Sequence, residues 1–337
     1  MNILILRFSS LGDVILTMPV AKAIKHVIPN ASVDLGTKLE YKGLFTPPSP
    51  FRNVIYLDNT GFIPFVKNIN KHRYDIIVDL HSSLRTLLML PLLKSDQKKR
   101  YKKGAIARRL FVMTGIRISS FPSVAQRYLN TVKISEIPAA PWFDLSVADL
   151  KKGKDILKRI GVKKDKIIGM APGAKWNTKK WNINHYIELA KVLENYSFDV
   201  VFVFGKGDEE DMHALLNISA DAKILNTADH TLREIAYAIA SMDVFVSGDT
   251  GLMHLAEASG TPVVVMFGPT TREFGFFPVV EKSMVIEKAL LCRPCSLHGS
   301  NICKYGHHRC MEDITVKEVE SAIFRLLNFK SDKLTMV

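Results

Sequence analysis

The 337 residues contain no apolar run of the roughly eighteen residues needed for a membrane-spanning helix. The opening Ile3-Leu4-Ile5-Leu6, followed at once by Arg7, reads as a strand and not as a leader to a signal core, so a cytoplasmic location is expected. Cysteine is scarce: four residues, all between positions 292 and 310, too few and too clustered for a disulfide framework. Low-complexity segments and short repeats are missing, and with 47% hydrophobic residues the chain has ample material for packed cores rather than disorder. There is no Asp-x-Asp pair to hold a divalent ion beside a diphosphate. The first strand is not followed by Gly-x-Gly-x-x-Gly, which argues against a nicotinamide dehydrogenase, and the Gly-x4-Gly-Lys-Ser/Thr loop of nucleotide hydrolases is missing. Acidic residues are also rare in the first part of the chain: residues 1–133 carry 7 Asp and Glu against 21 Lys and Arg, whereas the remainder carries 26 against 25. The formal charge of +13 therefore sits in the first part, which fits contact with something acidic (nucleic acid, an anionic membrane or a charged substrate) and equally fits a solvated basic surface.

Strand-like apolar runs alternate with helix-period segments throughout, the pattern of parallel sheets with helices on both faces. Strands are expected at Asn2–Arg7, Ser32–Gly36, Asn53–Leu57 and Tyr74–His81, with an amphipathic stretch Asp13–Val27. A second set follows at Lys166–Ala171, Asp199–Gly205, Lys223–Asn226, Asp243–Ser247 and Pro262–Phe267. That makes an α/β protein of two Rossmann-like halves, divided within Ile134–Ser146 and the charged helical stretch Ala148–Ile160, and assigned as domains 1–150 and 151–315. A terminal segment, 316–337, holds a helix Val316–Phe329 with Thr315 as its cap and a frayed tail Lys330–Val337. Two such halves leave a cleft at the carboxyl ends of their strands, where ligands of open α/β sheets bind.

The chemistry-bearing residues fall at those strand ends. In Arg7-Phe8-Ser9-Ser10-Leu11-Gly12-Asp13, Gly12 allows a tight turn and Asp13 lies at a helix start, where it caps free amides or takes a proton from a hydroxyl. The loop Pro172-Gly173-Ala174-Lys175-Trp176-Asn177-Thr178-Lys179 offers backbone amides and two lysines to a phosphate, or is a basic loop with packing tryptophans. In Ser247-Gly248-Asp249-Thr250-Gly251-Leu252-Met253-His254 a buried strand turns into a helix whose first amides, Thr250 hydroxyl and His254 converge on one point, suited to an anionic leaving group; a satisfied core histidine is the plainer alternative. Gly205-Lys206-Gly207-Asp208-Glu209 places acids where ribose hydroxyls bind in dinucleotide folds, or where a helix is simply capped. Arg85 and the run Lys98–Arg109 are suited to phosphates or carboxylates. The spacing Cys292-x2-Cys295-x7-Cys303-x6-Cys310 raises a structural zinc site against reduced thiols.

The Arg7–Asp13 segment, the Pro172–Trp181 loop, Asp249-Thr250-Gly251-x2-His254 and Gly260-Thr261-Pro262 with Phe267-Gly268-Pro269-Thr270 together resemble glycosyltransferase family 9, the lipopolysaccharide heptosyltransferases, over nearly the whole chain. The resemblance implies a GT-B fold: an N-terminal acceptor domain, a C-terminal domain for ADP-heptose and a final helix returning to the first domain. It implies an inverting, metal-independent transfer with no cofactor. Asp13 then matches the general base; Gly173, Ala174, Lys175, Lys179, Glu209, Asp249, Thr250, Gly251 and His254 match donor contacts; Arg7, Ser10, Gly12 and Arg85 lie on the acceptor side. The implied partners are a nucleotide sugar and an anionic glycolipid, with peripheral contact at the inner face of a membrane and no nucleic acid. His81-Ser82-Ser83 and the basic Lys98–Arg109 run depart from the best-known members, both on the acceptor side. Competing readings are a transferase or epimerase for another nucleotide sugar and, from a different class, a zinc-containing nucleic-acid-binding protein. Against the last, the basic excess and the cysteines lie in different halves, and no finger or helix-turn-helix spacing occurs.

Overall fold

The computed structural model describes residues 1–116, 122–134 and 138–334, with side chains as far as Leu327. The chain divides into two units, Met1–Gly104 with Pro122–Asp144, and Ala105–Phe121 with Leu145–Val337. Each is built on one parallel sheet.

In the first unit the strands are β1 (Asn2–Leu6), β2 (Ser32–Lys38), β3 (Val54–Leu57), β4 (Tyr74–Asp79) and β5 (Ser95–Arg100), in the order β3-β2-β1-β4-β5. Parallel strands need helical crossovers that cover both faces, so the central strand must be apolar throughout; Ile3, Leu4, Ile5 and Leu6 are all buried. The chain leaves β1 toward β2 and later returns to place β4 on its other side, so the β1/β4 boundary is a topological switch point. In the second unit the strands are β6 (Ile167–Ala171), β7 (Asp199–Phe204), β8 (Lys223–Asn226), β9 (Val244–Gly248), β10 (Val263–Phe267) and β11 (Ser283–Glu287), ordered β11-β10-β9-β6-β7-β8, with the switch between β6 and β9. The loops expected to bind ligand leave β1, β6 and β9, the strands that border the two switch points.

All nine expected strands are present within two residues of their expected ends. The two that were not expected, β5 and β11, are edge strands. β5 reads Ser-Asp-Gln-Lys-Lys-Arg, a charged edge of the kind that discourages pairing with other chains, and its composition conceals it. The stretch Asp13–Val27 is two helices, Leu11–Ile15 and Met18–Val27, because Pro19 has no N–H to continue the first one. The basic run Lys98–Arg109 is likewise split. Its strand belongs to the first unit, whereas the helix Ala105–Thr114 belongs to the second, where buried Phe111 meets Phe274 edge-on at 6.1 Å. The final helix runs Val316–Leu334, capped by Thr315 in a reciprocal box with Glu318. Among its described side chains, Val316, Val319, Ala322, Ile323 and Leu326 lie in the core of the second unit. Lys330–Leu334, expected to fray, is helical, and Thr335–Val337 lies outside the described residues.

Asp34, 1% exposed on β2, ties the edge of the first sheet together. It accepts from Arg52 Nε and Nη2 at 3.0 and 2.7 Å, from the Asn53 amide at 3.1 Å and from Tyr74 Oη at 2.8 Å. Burial alone raises its pKa, but the Arg52 and Tyr74 hydrogen bonds outweigh burial and hold it below the usual carboxylate range. A depressed folded pKa contributes stability that is complete above the unfolded value and lost as pH falls through the folded one. Asp34→Asn is therefore expected to lower the unfolding free energy by about 2 kcal/mol at pH 7. The gap to the wild type should close below about pH 4. Urea denaturation at both pH values checks this, and an equal gap at both would contradict it.

Candidate active site

The loop after β1 buries a charge of each sign. Arg7 and Asp13 are 7% and 9% exposed, and Arg7 Nη2 lies 2.7 Å from Asp13 Oδ1. Arg7 also donates to the Leu80 carbonyl at the end of the adjacent β4 (2.6 Å), and its guanidinium stands 5.7 Å from the centroid of the Tyr128 ring. Asp13 Oδ1 accepts from Tyr128 Oη at 3.1 Å, while Oδ2 accepts from the Ser10 amide and hydroxyl at 3.1 and 3.0 Å. Burial pushes the Asp13 pKa up, but the positive charge of Arg7 and the Ser10 hydrogen bonds more than reverse this, leaving a carboxylate below its ordinary range. Asp13 is thus the third residue of the short helix Leu11–Ile15, reaching back to its cap, and also half of a buried ion pair. Capping alone does not call for Arg7.

The expected acceptor-side residues Arg7, Ser10 and Gly12 are in or beside this group, and Arg85 is exposed on the helix Leu84–Met89 that follows β4. Nothing in the sequence singled out Tyr128, which comes from the helix Val124–Val132. His81, after β4, is pushed down to about 4 by burial and by Arg7, so it is uncharged at neutral pH.

In the second unit the loops after β6, β9 and β10 meet. Lys179 Nζ is 2.6 Å from Asp249 Oδ2 and 3.2 Å from the Asp249 carbonyl, and Thr270 Oγ1 donates to the same Oδ2 at 3.0 Å. Thr250 caps the helix Gly251–Ala258, its hydroxyl 3.1 Å from Ser247 Oγ. A Cβ on Gly248 would fall 2.9 Å from the Lys179 carbonyl, so this approach needs glycine. A lysine ammonium, first-turn amides and small hydroxyls gathered at one helix start form a cradle for phosphate oxygens.

Around the cradle, Gly173 packs on Asp208: a Cβ there would lie 1.9 Å from Asp208 Oδ2, which also accepts the Gly205 amide at 2.8 Å. Beyond them is a cavity of about 230 Å³ between the ends of β7 and β8, lined by Gly205, Asp208, Glu209, Asn226 and Thr227. Both acids border it: Glu209 as expected, and Asp208, buried and held against the β6 loop, which sequence spacing alone did not distinguish from an ordinary cap. Ala174 is half-buried in the β6 loop. Lys175 is not brought into the cradle; it is exposed, with its ammonium 5.4 Å from the Trp176 ring centroid.

The cysteine loop buttresses the cradle. The Thr178 amide and hydroxyl donate to the Ser300 carbonyl at 3.0 and 2.7 Å, and His308 Nε2 lies 3.0 Å from the Thr178 carbonyl. Arg293 donates to the carbonyls of Gly268 (2.6 Å) and Thr270 (3.0 Å), fixing the turn that carries Thr270. Among the described residues no three Cys, His, Asp or Glu side chains form a group that could hold a metal ion. Cys310 is turned into the apolar core, where burial pushes its thiol up to about 11, while Cys292 Sγ approaches His307 Nε2 at 3.8 Å.

A family model, glycosyltransferase family 9 (heptosyltransferase), matches residues 63–305, well over half of the chain. The chain belongs to glycosyltransferase family 9. Lipooligosaccharide heptosyltransferase 2 of Haemophilus influenzae is 26% identical, over 94% of this chain and 96% of its own length. Lipopolysaccharide heptosyltransferase 2 of Escherichia coli is 24% identical over 97% and 99%. Among solved structures, the E. coli ADP-heptose lipopolysaccharide heptosyltransferase II superposes with a TM-score of 0.78 at 21% identity, covering 98% of this chain and all of that one. The family 9 glycosyltransferase of Veillonella parvula gives 0.80 at 17% identity, covering 97% of each. The family 9 glycosyltransferase described here therefore has the GT-B fold of two parallel-sheet units.

His254, 3% exposed on the helix below the cradle, has Nδ1 3.3 Å from Glu257 Oε2 and, among the described residues, no partner on Nε2. Glu257, 1% exposed, also accepts the amides of Val279 (2.5 Å) and Val280 (3.2 Å). A carboxylate at that distance requires the hydrogen on Nδ1, which leaves Nε2 for a ligand. Glu257→Ala strands three donors and is expected to destabilise the family 9 enzyme by on the order of 3 kcal/mol. Glu257→Gln, keeping an acceptor, should lose less than half of that. Chemical denaturation of both variants tests this, and equal losses would show that volume, not hydrogen bonding, is what Glu257 supplies.

Proposed function

We propose that this enzyme transfers heptose from ADP-heptose to the inner core of a lipopolysaccharide precursor in a single inverting displacement that needs no metal. The observation that carries the reading is the cradle at the start of the helix Gly251–Ala258, where Lys179, Asp249, Thr250 and Thr270 draw three strand-end loops together. Departure of ADP builds negative charge on its terminal phosphate, and preorganised donors aimed at that charge lower the barrier. Lys179 and the helix amides supply such donors. The cavity beside Glu209 and Asp208 suits a nucleoside. Relatives whose names are lipopolysaccharide and lipooligosaccharide heptosyltransferases 2, matched from end to end, favour heptose over other sugars.

On the acceptor side Asp13 is the base for the attacking sugar hydroxyl, with Arg7, Ser10 and Tyr128 holding its carboxylate in place. The excess of basic residues in 1–133 suits an acceptor carrying phosphates and acidic sugars in a membrane, reached from the cytoplasmic face by peripheral contact. Among the described residues no helix is long and apolar enough to cross the membrane.

Asp13→Asn is expected to bind ADP as the wild type does, while kcat falls by about 10²–10⁴. Lys179→Ala should weaken ADP binding. Mass spectrometry of products from a panel of nucleotide sugars and truncated core acceptors decides the chemistry: heptose added from ADP-heptose supports the proposal, whereas turnover with another nucleotide sugar only, or full activity of Asp13→Asn, overturns it.

A further inference from the structure

The helix Leu84–Met89 and the turn Leu90–Leu92 have two sides. Thr86, Met89 and Leu90 face inward and are buried, Met89 and Leu90 in the core of the first unit. Leu84, Leu87, Leu88 and Leu92 stand 72%, 47%, 64% and 51% exposed. Leu84, Leu87 and Leu88 recur at helical spacing on one face. The segment is firmly built. Ser83 and Thr86 form a reciprocal cap, Arg100 donates to the Ser83 carbonyl at 2.9 Å, and Asn70 both donates to the Leu92 carbonyl (2.8 Å) and accepts the Lys94 amide (2.9 Å). Four leucines held in water on a rigid element serve no packing purpose, and a contiguous exposed apolar face marks a contact surface.

The place and the surrounding charge say what it contacts. The helix starts five residues after the end of β4, the strand that pairs with β1, so it grows from the same sheet edge as the Asp13 loop. Basic residues accompany the leucines: Arg85 within the helix, then Lys94 and Lys98, exposed at and in the edge strand β5. Leucines on one face with flanking Lys and Arg are the composition of a segment that lies in the headgroup region of an anionic bilayer. A second copy of the chain, carrying the same positive charge, would be repelled.

We infer that the Leu84–Leu92 segment is the surface by which the first unit rests on an anionic lipid membrane, the leucines entering among the acyl chains while the bases meet headgroup phosphates. The inference deepens the reading of a lipid-borne acceptor: such a substrate keeps its acyl chains in the bilayer, and a lipid-seated helix beside the Asp13 loop brings its sugars to that loop.

The test is co-sedimentation of the full chain with vesicles of phosphatidylethanolamine and phosphatidylglycerol, or of phosphatidylcholine alone, at low and high salt. Leu84→Ser/Leu87→Ser/Leu88→Ser is expected to lower partitioning onto the anionic vesicles about tenfold or more. What binding remains should vanish at high salt. Lys94→Gln/Lys98→Gln should weaken the anionic vesicles only. With a water-soluble acceptor lacking acyl chains the leucine variant is expected to turn over like the wild type, while its rate on vesicle-embedded acceptor falls. Unchanged partitioning of the leucine variant overturns the inference and leaves the transferase reading standing. So does a wild-type dimer, seen by analytical ultracentrifugation, that the leucine variant dissolves. Failure of the wild type on both acceptors strikes the transferase reading itself.

Discussion

A charge withdrawn from water at a strand end must meet its opposite, and in each unit of this protein the rule holds the loops that carry the candidate site. An unpaired carboxylate or ammonium taken out of water costs several kcal/mol, far more than a loop can recover by packing. At the end of β1 the buried pair is Arg7 and Asp13; at the ends of β6 and β9 the half-buried pair is Lys179 and Asp249. The second pair fixes loops that would otherwise be free to splay, because Lys179 and Asp249 come from different turns of the chain. The loops from β6, β9 and β10 are bound through a single carboxylate oxygen, Asp249 Oδ2, which takes both Lys179 and Thr270. Remove that oxygen and the three loops lose their common point.

The same constraint explains how a site can be stable before its ligand arrives and still bind it. Lys179 is neutralised by Asp249 when alone, so the unit folds without an uncompensated ammonium. A diphosphate would compete for Lys179 with a doubly ionised group against a single carboxylate, and Asp249 would retain the Thr270 hydroxyl. His254 is prepared differently. Its Nδ1 is fixed by Glu257, itself anchored by two backbone amides, so that Nε2 alone is open. The cysteine loop contributes from outside: its carbonyl at Ser300, its imidazole at His308 and the guanidinium of Arg293 brace the loops that carry Lys179 and Thr270.

Much of this was legible in the residues. Central strands of parallel sheets are buried on both faces and declare themselves as apolar runs, so all seven of them were readable, and with them the loops where Asp13, Lys179 and Asp249 stand. Edge strands obey other rules. β5 is charged, and no periodicity separates it from a basic loop. Partners distant in sequence were beyond reach: Tyr128 on Asp13 and Asp208 against Gly173 are set by tertiary packing and carry no spacing signal. Lys175, four residues from Lys179 and chemically identical, turns out over Trp176, because only one of the two positions faces Asp249. The four thiols within nineteen positions lie in one loop, of which Cys310 reaches the apolar core of the second unit, a placement that spacing alone does not give.

One property of Asp13 looks unfavourable for a base: its pKa is held down by Arg7 and Ser10. The chemistry removes the difficulty. As an acceptor hydroxyl attacks an anomeric carbon, its oxygen gains a third bond and becomes a protonated ether, an acid far stronger than any carboxylic acid. The proton then moves downhill even to a weakened carboxylate, provided the carboxylate is ionised and correctly placed. A low pKa ensures the first condition at every physiological pH. The second is met by the three partners that surround Asp13, so Asp13 gives up some basicity in exchange for position and charge state. What a strongly basic carboxylate would add in driving force it would lose in the fraction ionised and in the order of its side chain.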